Sequence, residues 1–137
     1  MSQEQIDSVI RGFEAFNRGD WDAALEGFAE DVVQTAYFAP VAGERSLYGR
    51  AAIKRAWEAA SEVFGGGGTY RVEPQDFRDL GGGVILVPVR LSGRGTASGV
   101  ETETEIAQLW TIRQGRVVRI DQYPDVAEAL EATGLSE

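Results

Sequence analysis

The stretch ETETEIAQLWTIRQGRVVRIDQYPD, Glu101 to Asp125, decides the fold. It reads as two long strands joined by a tight turn at Arg113-Gln114-Gly115-Arg116, where Gly115 can take a positive φ. Side chains alternate along a strand, so Thr104, Ile106, Gln108, Trp110 and Ile112 share one face of the first strand. Glu101, Glu103, Glu105, Ala107 and Leu109 share the other. In the second strand Val118, Ile120 and Gln122 alternate with Val117, Arg119, Asp121 and Tyr123. Each strand thus sets one glutamine, Gln108 or Gln122, into an apolar row. An apolar face with few polar groups is the usual pattern of a small-molecule pocket.

Just upstream, VILVPVRLSG (Val84 to Gly93) is apolar on both faces at first, as in a strand covered on both sides. Ala107, Leu109 and Val117 extend its second apolar face, for which a homodimer interface is the simplest cover. Tyr70 to Leu80 reads as a weaker strand, with Pro74 marking an edge or a bulge. Downstream, Asp125 caps a short helix, Glu128 completes the capping box, and Gly134 stops it.

At the other end of the chain, Ser2 and Gln5 form a capping box ahead of Ile6, Val9, Ile10, Phe13 and Phe16 at helical spacing. Gly19 closes this helix. Asp20 caps a shorter one carrying Trp21, Ala24, Leu25 and Phe28, and the short connection pairs the two as a hairpin. Asp31 to Phe38 looks extended; Pro40 and Gly43 end it, and a loop leads to Gly49. A third helix from about Arg50 to Phe64 sets Ile53, Ala56, Trp57, Ala60 and Phe64 on one stripe. Lys54 lies about 100° round from Ile53, towards solvent. Gly65 to Gly68 is a linker, because no GK[ST] follows it and no strand-turn-helix frames it. Helices ahead of a run of antiparallel strands predict an α+β fold, with a curved, mainly antiparallel sheet wrapped round the N-terminal helices.

The chain has 137 residues and reads as one domain, residues 1–137. Its 13 basic and 22 acidic side chains give a net charge of −9, which repels phosphate backbones, so no nucleic-acid partner is expected. No apolar run reaches the roughly 18 residues of a membrane span, and no charged-then-apolar leader opens the chain. No membrane partner and a cytoplasmic location are therefore expected. The chain has no cysteine and no histidine. Thiol and His-based nucleophiles and the usual zinc sites are excluded, and no metal or cofactor is expected. Lys54, the sole lysine, is the only Schiff-base candidate. Catalysis would have to use Asp, Glu, Tyr, Arg, amides or ordered water.

Four segments together resemble the SnoaL-like branch of the nuclear-transport-factor-2-like superfamily. They are FNRGDWDAAL (Phe16 to Leu25), FAEDV (Phe28 to Val32), YGRAAI (Tyr48 to Ile53), and GRVVRIDQYPD (Gly115 to Asp125) running into ALEATGL. The resemblance implies a cone-shaped α+β barrel, open at one end and commonly dimeric through its outer sheet face, with an apolar cavity. Ketosteroid isomerases, polyketide cyclases and limonene-epoxide-type hydrolases are built this way, with aspartates and a tyrosine or histidine inside the cone. Carried onto this chain, the isomerase base falls at about Ala36, the oxyanion-hole tyrosine at about Gly12 and its partner acid at about Gln108. The aspartate used by the cyclases and hydrolases falls near Gln122. An amide donates hydrogen bonds but does not exchange protons near neutral pH, so the familiar mechanisms do not transfer.

The ligand-pocket candidates are Phe13, Phe16, Tyr37, Trp57, Ile106, Gln108, Trp110, Ile120 and Gln122. The aromatic members serve as core as well as wall. Tyr37 competes with Phe38 for the inside, where its phenol could donate to a carbonyl. Glu101, Glu103 and Glu105 read as a solvated strand face, Asp121 as an outward group near Arg119, and Arg90 as a rim or interface residue. The expected function is binding of a small apolar molecule, with isomerase, cyclase or hydrolase-type chemistry lacking the usual aspartates. The alternative is a non-catalytic dimeric binding or interaction module.

Overall fold

A computed structural model of the chain describes residues 2–35, 46–63, 71–94 and 99–134. In chain order the elements are α1 (Ser2–Asn17), α2 (Trp21–Leu25), β1 (Phe28–Thr35), β2 (Ser46–Tyr48) and α3 (Arg50–Val63). They continue with β3 (Arg71–Pro74), β4 (Arg78–Gly81), β5 (Val84–Arg94), β6 (Glu101–Arg113), β7 (Arg116–Tyr123) and α4 (Val126–Ala132). The strands form one curved, unclosed mixed sheet in the order β2-β1-β7-β6-β5-β3, with β4 also paired to β5. Only β1 and β7 run parallel among the described pairs. This is the α+β cone expected from the sequence.

Local chemistry explains the element ends. The Gly19 amide bonds the Phe16 carbonyl at 3.0 Å and the Asp20 amide bonds that of Ala15 at 2.9 Å, with Gly19 at φ +82°. That is the paired closure a left-handed glycine allows. The Asp20 and Asp125 carboxylates accept from the amides of Ala23 and Glu128, starting α2 and α4. Gln114 and Gly115, at φ 55° and 78°, make the β6–β7 turn. Positive φ at both central residues matches the twist of a two-residue hairpin.

Four details differ from the sequence reading. Phe28 opens β1 instead of closing α2, and its buried ring joins the core. Ser46–Tyr48, read as loop, forms an edge strand against β1. The weak strand before β5 is two strands, β3 and β4, separated at residues 75–77, while Pro74 itself stays paired with Val89 on the sheet edge. Finally, Val117 points inward. The β6–β7 register shifts between Thr111 and Ile112, so an extra residue resets the alternation and Val117 joins Ile120 in the core.

The core lies between the inner sheet face and α1–α3. Val9, Phe13, Leu25, Phe28, Val32, Ile53, Val72, Ile85, Val87 and Val89 are buried there together with Ile106, Trp110, Ile112, Val117 and Ile120. A second cluster forms on the outer face, where Ala129 and Leu130 of α4 cover Leu86, Ala107 and Leu109. The outer apolar face from which the homodimer was argued is thus covered by the chain's own last helix, apart from what lies beyond α4.

One polar link ties α1 to the sheet. Asn17 Nδ2 donates to the Val72 carbonyl at 2.8 Å, and the Val72 amide donates to Asn17 Oδ1 at 2.9 Å. The pair satisfies a backbone group of β3 on its free edge. Asn17→Ala is expected to cost about 1–3 kcal/mol in urea unfolding, the usual penalty for orphaned, half-buried polar groups. A loss below about 0.5 kcal/mol would mean that water replaces the side chain at no cost.

Candidate functional site

The inner face is read directly from strand register. On β6, Gln108 lies opposite Gln122 of β7 and Val87 of β5, while Trp110 lies opposite Ile120 and Ile85. On the far side of β7, Ile120 pairs with Gln34 of β1. Val32 and Gln34 are buried on the same side of β1, whereas Thr35 turns to the other side. Three amides, those of Gln34, Gln108 and Gln122, therefore stand on one otherwise apolar surface.

Four of the aromatic residues expected at the pocket, Phe13, Phe16, Trp57 and Trp110, form a continuous cluster with Phe28. Ring centroids of Phe13 and Trp110 lie 5.2 Å apart, Phe28 and Trp110 5.8 Å, Phe28 and Trp57 6.2 Å, and Phe16 and Trp57 4.9 Å. Most of these meet edge to face, the arrangement the ring quadrupoles favour. Phe13, Ile106, Gln108, Trp110 and Ile120 are buried, and Phe16, Trp57 and Gln122 are half-buried. Eight of the nine sequence candidates so fall on the helix–sheet core or its inner sheet face. Tyr37, like Phe38 and Ala36, lies outside the described residues.

The amides differ in their partners. Gln108 Oε1 accepts from the Trp110 indole at 2.8 Å, a same-face neighbour two residues along the strand. Gln34 is only 8% exposed, and its Oε1 is buried with no hydrogen-bond partner among the described residues. Sequence reading missed Gln34. The signal was present, since alternation from Val32 puts Gln34 on the inner face. The buried polar side chains among the described residues are Gln34, Ser61 and Gln108. None of these ionises, so the described interior offers hydrogen bonds and dipoles but no proton-exchanging group.

The charged candidates face outward. Asp121 lies opposite Leu109, accepts from Thr35 Oγ1 at 2.9 Å, and pairs with Arg119 Nε at 2.9 Å. Its side chain is only 16% exposed, so it is more sheltered than an ordinary surface carboxylate. Beside it, burial and the Asp121 carboxylate hold the Tyr123 phenol above its usual pKa. Arg90 sits opposite Glu105 on the outer face, with its guanidinium 3.6 Å from Glu105 and 3.8 Å from Glu103. Arg94 binds Glu101 at 2.6 Å. Glu101, Glu103 and Glu105 are therefore an exposed charge ladder. Lys54 binds the Asp22 carboxylate at 2.9 Å, and this hydrogen bond raises its pKa. A protonated, paired ammonium is unsuited to Schiff-base attack. Among the described residues no group of acidic side chains is placed to hold a metal ion.

A curved, unclosed sheet of this order packed on its N-terminal helices defines the class of α+β cone proteins. The chain belongs to the SnoaL-like domain family, which matches residues 9–120. Similar solved structures include TerC co-crystallized with polyporic acid, 21% identical over 93% of this chain and 96% of that one, with a TM-score of 0.75. A nuclear-transport-factor-2-like protein of unknown function from Burkholderia pseudomallei is 21% identical over 93% and 95%, also at 0.75. A polyketide-cyclase candidate from Sinorhizobium meliloti is 29% identical over 85% and 93%, at 0.66. No curated protein matches the chain. No helix among the described residues is long and apolar enough to cross a membrane.

Proposed function

We propose that the chain binds a small, largely apolar molecule against the inner face of its cone, oriented by amides rather than by carboxylates. The observation that carries this reading is the shared inner face of Gln34, Gln108 and Gln122 among apolar neighbours. Convergent polar groups on an apolar concave surface are the general pattern of small-molecule sites. TerC with its polyporic acid and the Sinorhizobium cyclase candidate support an organic ligand for the same fold.

A catalytic form of this reading uses the amides as fixed dipoles. They would orient a carbonyl or a water and stabilise charge that develops on it, in cyclase-, isomerase- or hydrolase-type chemistry. The lack of a titrating side chain among the buried described residues favours the binding form, because general acid–base catalysis needs a group that titrates. In this proposal a single domain works without metal or cofactor in the cytoplasm, and its net charge of −9 opposes nucleic acid. A homodimer would use the outer face beyond α4, where Arg90 and Arg94 alternate with the glutamates of β6.

Two measurements test the reading. Thermal shift against apolar ring compounds should raise the unfolding temperature, since binding to the native state alone stabilises it. For a carbonyl-bearing hit, Gln108→Leu should weaken binding about tenfold with the fold intact, the effect of one lost hydrogen bond. No steroid double-bond isomerisation above background is expected. Unchanged affinity in Gln108→Leu would remove that amide from the site, and isomerase turnover lost on mutating an inner-face residue would reverse the binding reading.

A further inference from the structure

Gln34 is a residue that the fold alone does not explain. It stands between Leu47 of β2 and Ile120 of β7, where an aliphatic side chain would continue the row set by Val32. Instead it buries an amide oxygen that accepts no hydrogen bond from the described residues. A buried acceptor without a donor destabilises the native state, whereas an apolar residue of similar shape does not. Gln108, on the same face, shows the contrast, since the Trp110 indole satisfies that oxygen.

We propose that Gln34 Oε1 is a selectivity point of the inner-face site, accepting a hydrogen bond from a hydroxyl or N–H donor on the ligand. This rests on the binding reading above and specifies the chemistry of the molecule bound. Strand register places Gln34 one strand and two residues from Gln122, about 8 Å between backbones, and about 12 Å from Gln108. A flat body of about two fused rings spans that distance, with apolar contact to Ile120 and Trp110 between the amides. The two amides differ in kind. At Gln34 an unpaired oxygen seeks a donor, while at Gln108 the oxygen is already taken by the indole. The matching ligand carries a donor at the Gln34 end and an apolar body beyond it. Gln34 Oε1 is closed off from solvent, so a ligand must displace the groups over it. Relief of the unpaired oxygen offsets part of that displacement, and only a donor-bearing ligand gains it. A ligand of the same shape without the donor meets the cost of displacement alone.

The test compares 2-naphthol with 2-methoxynaphthalene, which keeps the rings and oxygen but has no donor. Both are titrated into the isotope-labelled full chain, followed by two-dimensional NMR of backbone and glutamine side-chain amides. Expected is about tenfold tighter binding of the naphthol to the wild type, with the Gln34 side-chain amide among the shifted signals. In Gln34→Leu the two probes should bind within about twofold of each other, and the variant should melt no lower than the wild type. Gln34→Met gives the same comparison if the leucine variant does not fold. Equal binding of both probes to the wild type overturns the donor inference while the binding reading stands. A naphthol preference that survives in Gln34→Leu removes the assignment to Gln34. Absence of any inner-face shift with either probe overturns the binding reading, and this inference with it.

Discussion

Trp110→Ala is expected to lower the unfolding free energy by about 3–5 kcal/mol, the range for deleting a large aromatic side chain from a packed core. Trp110 is 5% exposed at the centre of the inner face. Its ring meets Phe13 at 5.2 Å and Phe28 at 5.8 Å, so alanine leaves a void that two other rings line. Each aromatic pair contributes about 0.5–1.5 kcal/mol beyond its buried area. The indole also donates to Gln108 Oε1 at 2.8 Å, so its removal orphans a buried acceptor. Trp110→Phe separates these effects. It keeps most of the ring packing and loses the donor, and should cost about 1–2 kcal/mol. Guanidinium unfolding of both variants checks the pair of values. A loss under about 2 kcal/mol for the alanine variant would mean that neighbouring side chains collapse into the space, and that the inner face is looser than its packing suggests.

The fold was legible where local chemistry and periodicity agree. Capping aspartates, the Gly19 and Gly115 positions and the alternation through Gln108 and Trp110 each follow from short-range geometry, and each stands as read. What sequence could not show were events set by partners distant in the chain. Val117 faces inward because β6 and β7 shift register between Thr111 and Ile112, and two residues of adjacent valine carry no mark of which one is displaced. Ser46–Tyr48 forms a strand because β1 offers it an open edge, not through its own pattern. The outer apolar residues found their cover in α4, which belongs to the same chain and is short enough to read as a simple cap to the fold. At the candidate site, Gln108 and Gln122 were found by alternation alone and prove to be direct cross-strand neighbours. Gln34 needed the parallel pairing of β1 with β7 to join them, a contact between segments more than eighty residues apart.

Gly83→Ala is expected to destabilise the chain by about 2–4 kcal/mol, against about 1–2 kcal/mol for Gly82→Ala next to it. The two glycines form the turn between β4 and β5, where Gly81 pairs with Val84. Both have positive φ, +64° for Gly82 and +83° for Gly83, as a two-residue hairpin turn of this hand requires. An L side chain in that region costs roughly 1–2 kcal/mol at either position. Space separates them. A Cβ at Gly82 would meet nothing within 4 Å, but one at Gly83 would lie 2.5 Å from the Ile112 carbonyl oxygen and 2.7 Å from Arg113 Nη1. The arginine end can swing away; the carbonyl is backbone and cannot. Moving it would strain the Ile112 amide bond to the Gly83 carbonyl, now 2.8 Å, and the Arg113 contact with the Gly82 carbonyl at the same distance. Ile112 is also where the β6–β7 register shifts, so the disturbance reaches the inner face at Val117. Gly82→Asn supplies a third reference, since asparagine tolerates the left-handed region and should fall below the alanine loss at that site. Urea unfolding of the three variants, compared at equal m-value, gives the differences directly. Equal losses for Gly83→Ala and Gly82→Ala would show that the β6 backbone yields freely at Ile112, and that conformation alone sets the cost of this turn.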